Sequence, residues 1–91
     1  MKLRAHIYII GRVQGVFFRS KTRREARKYN LTGWVKNLAN GRVEAVFEGE
    51  EEDVQRLIVF CGKGPSGASV AKTEVVLQNY TGEFTDFKIT W

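Results

Sequence analysis

Cysteine and histidine each occur once in these 91 residues. One cysteine cannot build an internal disulfide framework, so a reducing compartment is the simpler expectation. A lone Cys61 beside a lone His6 also leaves no soft-ligand zinc set within a single chain. No apolar run approaches the roughly 18–20 residues that span a bilayer. The start, Met1-Lys2-Leu3-Arg4-Ala5-His6, lacks the long apolar stretch of a signal peptide and enters alternating sequence at once. A cytoplasmic location with no membrane partner is therefore expected. Acids are what the first third lacks: residues 1–36 set ten Lys/Arg against the single Glu25, while residues 37–91 set five against nine acids. Such a basic excess suggests an anionic partner, whether nucleic acid, an anionic surface or a small phosphate compound.

What is present is ordinary globular composition, 43% hydrophobic and 27% charged, which excludes disorder and fits one small domain over residues 1–91. From Leu3 to Val13 the odd positions are apolar or glycine, while Arg4, His6, Tyr8 and Arg12 fall among the even ones, the period of a strand with one apolar face. Phe18, Thr22, Ala26 and Tyr29 then recur at helical spacing between Arg19, Lys21, Arg23, Arg24, Arg27 and Lys28, an amphipathic helix with a basic outer face that Asn30 ends in a left-handed cap. Trp34–Leu38 reads as a second strand. Asn40-Gly41 supplies a type I′ hairpin turn, which requires positive φ at both residues. Val43, Ala45 and Phe47 mark the third strand, up to Glu48. Glu50–Asp53 load acids into the first turn of a second helix, where they suit its dipole, and Val54, Leu57, Ile58 and Cys61 form its apolar stripe. After a glycine-rich loop over residues 62–69, strands are expected at Val70–Leu77 and Phe84–Trp91, the latter with Phe87, Ile89 and Trp91 on one face. The order β-α-β-β-α-β-β predicts an α+β, ferredoxin-like split βαβ: an antiparallel sheet with both helices on one face.

Most residues with chemical capacity have a plain structural explanation. His6 lies mid-strand with no acid beside it in sequence and is read as structural. Cys61 falls on the apolar stripe and is read as a small buried hydrophobe. The glycines around Lys63 follow a helix rather than a strand, the wrong context for a phosphate loop. Glu50, Glu51, Glu52 and Asp53 are consecutive, point in different directions and are read as solvated.

The junction Gly11-Arg12-Val13-Gln14-Gly15-Val16-Phe17-Phe18-Arg19 is different. Gly15 permits a positive φ, so that successive N–H groups can turn inward as an anion nest. The helix beginning near Phe18 adds unpaired donors and positive potential. Arg19 in the first turn opposes the dipole unless an anion occupies the junction. The other reading is one more solvated arginine on a basic face.

That junction, followed by Gly33-Trp34-Val35-Lys36-Asn37, resembles the acylphosphatase family. The likeness continues through Asn40-Gly41-Arg42-Val43-Glu44, Gly49, Gly64-Pro65 and Phe87-Lys88-Ile89, and so spans essentially the whole chain. It implies hydrolysis of acyl phosphates to a carboxylate and inorganic phosphate, with no metal, no cofactor and no covalent intermediate. It further implies that Arg19 binds the phosphate, that Asn37 positions the attacking water, and that the backbone amides of Gln14, Gly15, Val16, Phe17 and Phe18 form the cradle. The expected partners are a small acyl phosphate and inorganic phosphate, with no nucleic acid, and the chain is expected to be a monomer. Phe17 departs from the pattern, standing where the family often has a small residue.

Two readings from other classes compete. The ferredoxin-like topology and the basic helix are shared with RNA-binding modules, and Tyr8 and Trp34 could stack on bases. Against this, Glu44 and Glu48 on the third strand would repel a phosphate backbone. A catalytically silent accessory domain within a larger maturation protein is the third reading.

Overall fold

In the computed structural model, which describes residues 1–90, the elements run β1 (Lys2–Arg12), α1 (Phe18–Lys28), β2 (Thr32–Asn37), β3 (Val43–Glu50), α2 (Glu51–Lys63), β4 (Ser69–Asn79) and β5 (Phe87–Ile89). The strands form one sheet in the order β4-β1-β3-β2-β5. The alternation of β1 decides its faces: Ala5, Ile7 and Ile9 are fully buried, while Arg4, His6 and Tyr8 on the opposite face are only partly so. Phe18, Thr22 and Ala26 of α1 and Val54, Leu57 and Cys61 of α2 are buried too. Both helices join the same core cluster as the odd residues of β1, together with Val35, Ala45, Phe47 and Phe87. The α+β split βαβ with helices on one face is thus the observed architecture.

Four strands pair antiparallel as expected, but β5 runs parallel to β2, with Gly33 opposite Phe87 and Val35 opposite Ile89. The sheet is therefore mixed. β4 ends beside the start of β1, and the connection over residues 80–86 brings the chain to the end of the sheet where β2 begins. β5 is also shorter than expected: residues 84–86 are irregular, and pairing with β2 begins where Gly33 N–H donates to the Asp86 carbonyl at 2.9 Å. Trp91, expected on the same face as Phe87 and Ile89, lies outside the described residues.

The hairpin between β2 and β3 differs from the type I′ expectation. Leu38 N–H donates to the Arg42 carbonyl at 2.8 Å, so the loop holds three residues, not two. Gly41 takes a positive φ of 90°, whereas Asn40 does not. Instead the Asn40 Oδ1 accepts the Arg42 N–H at 3.1 Å, so its side chain stabilises a three-residue loop closed by a left-handed glycine. At the end of α1, Asn30 is left-handed at φ 57°, as its position suggested.

Candidate active site

β1 delivers the chain to the start of α1 through residues 13–17. Gly15 adopts φ 74°, and Phe17, at the N-cap position, adopts φ 60° and ψ 25°. Two left-handed residues so close together curl the backbone, and no side chain caps α1. The first intrahelical bond runs from Lys21 N–H to the Phe17 carbonyl, which leaves the N–H groups of Phe18, Arg19 and Ser20 outside the helical ladder. No acid occupies the first turn. The positive end of the helix is consequently uncompensated by its own sequence.

Asn37 arrives from a different direction. The period of two along β2 puts it on the face of Gly33 and Val35, beneath the helices. Being the last residue of the strand, it sits where the sheet emerges at the α1 N-terminus. A cavity of about 230 Å³ lies there, lined by Val13, Gly15, Phe17, Phe18, Arg19, Ser20, Asn37 and Ile89. The Nη1 of Arg19 is buried, and so is the Oδ1 of Asn37, which has no hydrogen-bond partner among the described residues. A buried acceptor of this kind is costly unless a ligand or water completes it. The cavity is smaller than the roughly 300–1,000 Å³ of drug-sized sites, which suits a small anion.

Of the residues singled out in the sequence, Arg19, Asn37, Gly15, Phe17 and Phe18 thus meet at one cavity. Gln14 and Val16 do not line it with their side chains. Val16 packs against the core. Gln14 turns away, its Nε2 donating to the carbonyls of Leu38 (2.7 Å) and Arg42 (3.0 Å). It ties the loop to the hairpin that carries Asn37. Three lining residues escaped the sequence reading: Val13, Ser20 and Ile89. Ser20 is the third residue of a helix whose first turn was already suspect, and that was the available signal.

None of the eight lining residues is an acid, a histidine, a lysine or a cysteine. His6 lies on the open face of the sheet, where its Nε2 is 2.6 Å from Glu44 Oε2. The acid missing beside it in sequence therefore comes across from β3. Burial pulls the Glu44 pKa up, but hydrogen bonds from His6 and Tyr8 outweigh it and hold the group below its ordinary value. Cys61 is fully buried under the helices, and burial pushes its thiol up to about 12.

Comparison with known proteins runs along the whole of this framework. A family model described as acylphosphatase matches residues 5–89. The acylphosphatase of Syntrophus aciditrophicus is 53% identical over 91 residues, covering 100% of this chain and 95% of its own. That of Chloroflexus aurantiacus is 53% identical over 89 residues, 98% of this chain and 97% of its own. The crystal structure of acylphosphatase from Bacillus subtilis is similar with a TM-score of 0.93 at 36% identity, covering 98% of this chain and 99% of that one. Full-length HypF in a phosphate- and nucleotide-bound form is similar with a TM-score of 0.85 at 32% identity; it covers 100% of this chain but only 12% of that one. With the match extending from β1 into β5 and with relatives of the same length, this chain belongs to the acylphosphatase family.

Proposed function

We propose that the chain hydrolyses acyl phosphates, with the phosphate held by the amides of residues 14–18 and Arg19, and with the attacking water positioned by Asn37. The observation that carries this mechanism is the absence of a proton shuttle among the eight residues lining the cavity. Arginine stays protonated and asparagine does not titrate. Ser20 has no base beside it in the lining and is not an activated nucleophile. Such a site serves a reaction whose leaving group departs unprotonated. The leaving group of an acyl phosphate is a carboxylate with a pKa of about 4. As the water oxygen bonds to phosphorus, the bond from phosphorus to the acyl oxygen breaks, and its electron pair leaves on the carboxylate. The water's proton passes to a phosphate oxygen, the base within reach. In a loose transition state, what the protein contributes is charge stabilisation and positioning. Arg19 and the amide cradle contribute the first, and the partnerless Asn37 Oδ1 the second.

The same chemistry argues against alkyl phosphate monoesters, whose alkoxides are far poorer leaving groups. No metal or cofactor enters this mechanism. Nor does nucleic acid: on the open sheet face Lys36 sits 5.3 Å over the Trp34 ring, and Glu44 keeps a carboxylate beside Tyr8 and His6. Among the described residues no helix is long and apolar enough to cross a membrane. We place the chain as a cytoplasmic monomer, which its single buried cysteine suits.

The deciding assay is turnover of a simple acyl phosphate by the purified protein. Arg19→Ala should lose about 100- to 1,000-fold in rate, together with affinity for inorganic phosphate as a competitive inhibitor. Asn37→Ala should lose turnover while keeping phosphate affinity. Efficient hydrolysis of an alkyl phosphate, or equal loss of phosphate binding in both variants, overturns the assignment.

A further inference from the structure

Phe17 is anomalous in three respects at once. Its φ of 60° lies in the left-handed region, where only Phe17 and Asn30 stand among the described non-glycine residues. Asn30 is a residue type that tolerates this conformation; phenylalanine is not. Its side chain is 76% exposed, so burial offers no compensation within the fold. Yet it lines the candidate active site. A glycine would suit the backbone and leave no apolar ring in water.

The other lining residues show where that ring stands. Val13 and Phe18 are each 1% exposed and form the floor. The buried polar atoms belong to Arg19 and Asn37, which fix the phosphate end. Phe17, the most exposed of the large apolar lining residues, is therefore at the mouth. A phosphate bound at the amides and Arg19 leaves its acyl substituent extending outward past this ring. The curl of the cradle accounts for a left-handed backbone at this position, which glycine would meet without strain; the choice of an exposed phenylalanine there is explained by contact of its ring with the ligand.

We propose that Phe17 is a specificity-determining wall of the site, and that the preferred substrates are acyl phosphates with an aromatic or bulky aliphatic acyl group rather than a minimal one. This rests on the acyl phosphate reading above and names the substrate class within it. The test compares benzoyl phosphate with acetyl phosphate in the unmodified chain, Phe17→Gly and Phe17→Leu, reading kcat/KM for each and the inhibition constant of inorganic phosphate. The ratio of kcat/KM, benzoyl over acetyl, should fall roughly three- to tenfold in Phe17→Gly, the size of one aromatic contact. Phe17→Leu keeps an apolar wall and should retain most of the ratio. Taking a ratio cancels any effect of the substitution on the cradle that both substrates share, and the phosphate inhibition constant reports on the cradle separately. An unchanged ratio in Phe17→Gly overturns the proposal while leaving the hydrolase reading intact. A ratio that falls equally in the glycine and leucine variants also overturns it, since loop conformation rather than the apolar wall would then be responsible. If the unmodified chain turns over neither compound, the hydrolase reading itself fails, and the proposal with it.

Discussion

The side chain of Gln14 physically links the phosphate loop to the Asn37 hairpin. Its Nε2 donates to two carbonyls, Leu38 at 2.7 Å and Arg42 at 3.0 Å. Each carbonyl also accepts a backbone N–H, from Gly41 and Leu38 respectively. Gln14→Ala therefore removes two bonds without leaving an orphaned acceptor, which places it at the low end for buried polar deletions, about 1–2 kcal/mol. In a domain of this size that corresponds to a fall in Tm of roughly 5–15 °C. Gln14→Glu preserves shape but should be worse: a part-buried carboxylate would face two carbonyl oxygens with no donor between them, adding repulsion and desolvation to the same two lost bonds. The order of stabilities, unmodified above Ala above Glu, runs against side-chain similarity, and it is measurable by urea denaturation at neutral pH. The functional effect should exceed the stability effect, since a shift of about 1 Å between cradle and Asn37 can cost on the order of 100-fold in rate. That loss should appear in kcat, with phosphate inhibition much less affected. If Gln14→Glu proves as stable as Gln14→Ala, or if kcat is untouched in both, the bracing role is refuted.

Glu48 offers a pH-dependent test. Its buried carboxylate accepts Thr81 N–H (2.9 Å), Thr81 Oγ1–H (2.7 Å), Gly82 N–H (3.0 Å) and Arg4 Nη1–H (3.3 Å). Burial raises its pKa, but these donors outweigh it, and the folded value lies below 4.5. The stability it contributes is therefore complete above about pH 4.5 and is lost as the pH falls through the lower folded value. Glu48→Gln should cost about 2–3 kcal/mol at pH 7, with the gap narrowing in acid; a gap constant from pH 7 to pH 3 would contradict the linkage. Cys61, fully buried with its thiol pushed up to about 12, should resist a thiol-specific disulfide reagent at pH 8 in the native state and react promptly in denaturant. Rapid native-state labelling would show that the helix-facing core opens more readily than its packing implies. Arg19→Ala and Asn37→Ala, as set out above, separate phosphate binding from water positioning.

The fold was legible in the sequence wherever one face of an element is buried and the other is not. The alternation of Leu3–Val13 and the stripe Val54, Leu57, Ile58, Cys61 each carry their burial pattern openly. Features that depend on register were not legible. The His6–Glu44 pair is a diagonal contact across two strands, and it exists only because Tyr8 falls opposite Glu44. The direction of β5 is set by pairing between residues more than fifty positions apart, which no local pattern encodes. Within the site, Gly15 announced its positive φ through its residue type. Phe17 adopts the same region while its residue type argues against it. The role of Gln14 as a brace was hidden for a further reason: its partners are backbone carbonyls, and those leave no mark in the sequence.

The order in which the strands lie across the sheet bears on how the molecule is made. A ribosome delivers β1 first, yet its two neighbours are β3 and β4; β2, once made, has only the hairpin partner β3 nearby in sequence. Every other pairing waits for chain synthesised much later, the pattern that slows folding in domains of this size. The last strand to be made is β5, which supplies Phe87 to the core and Ile89 to the wall of the cavity. Arg19 and Asn37 thus emerge early but acquire a finished surrounding only when β5 has docked beside β2. Enzymatic activity on a stalled or shortened chain would then report completion of the last strand, and inorganic phosphate, by favouring the finished cavity, would act as a folding ligand for it.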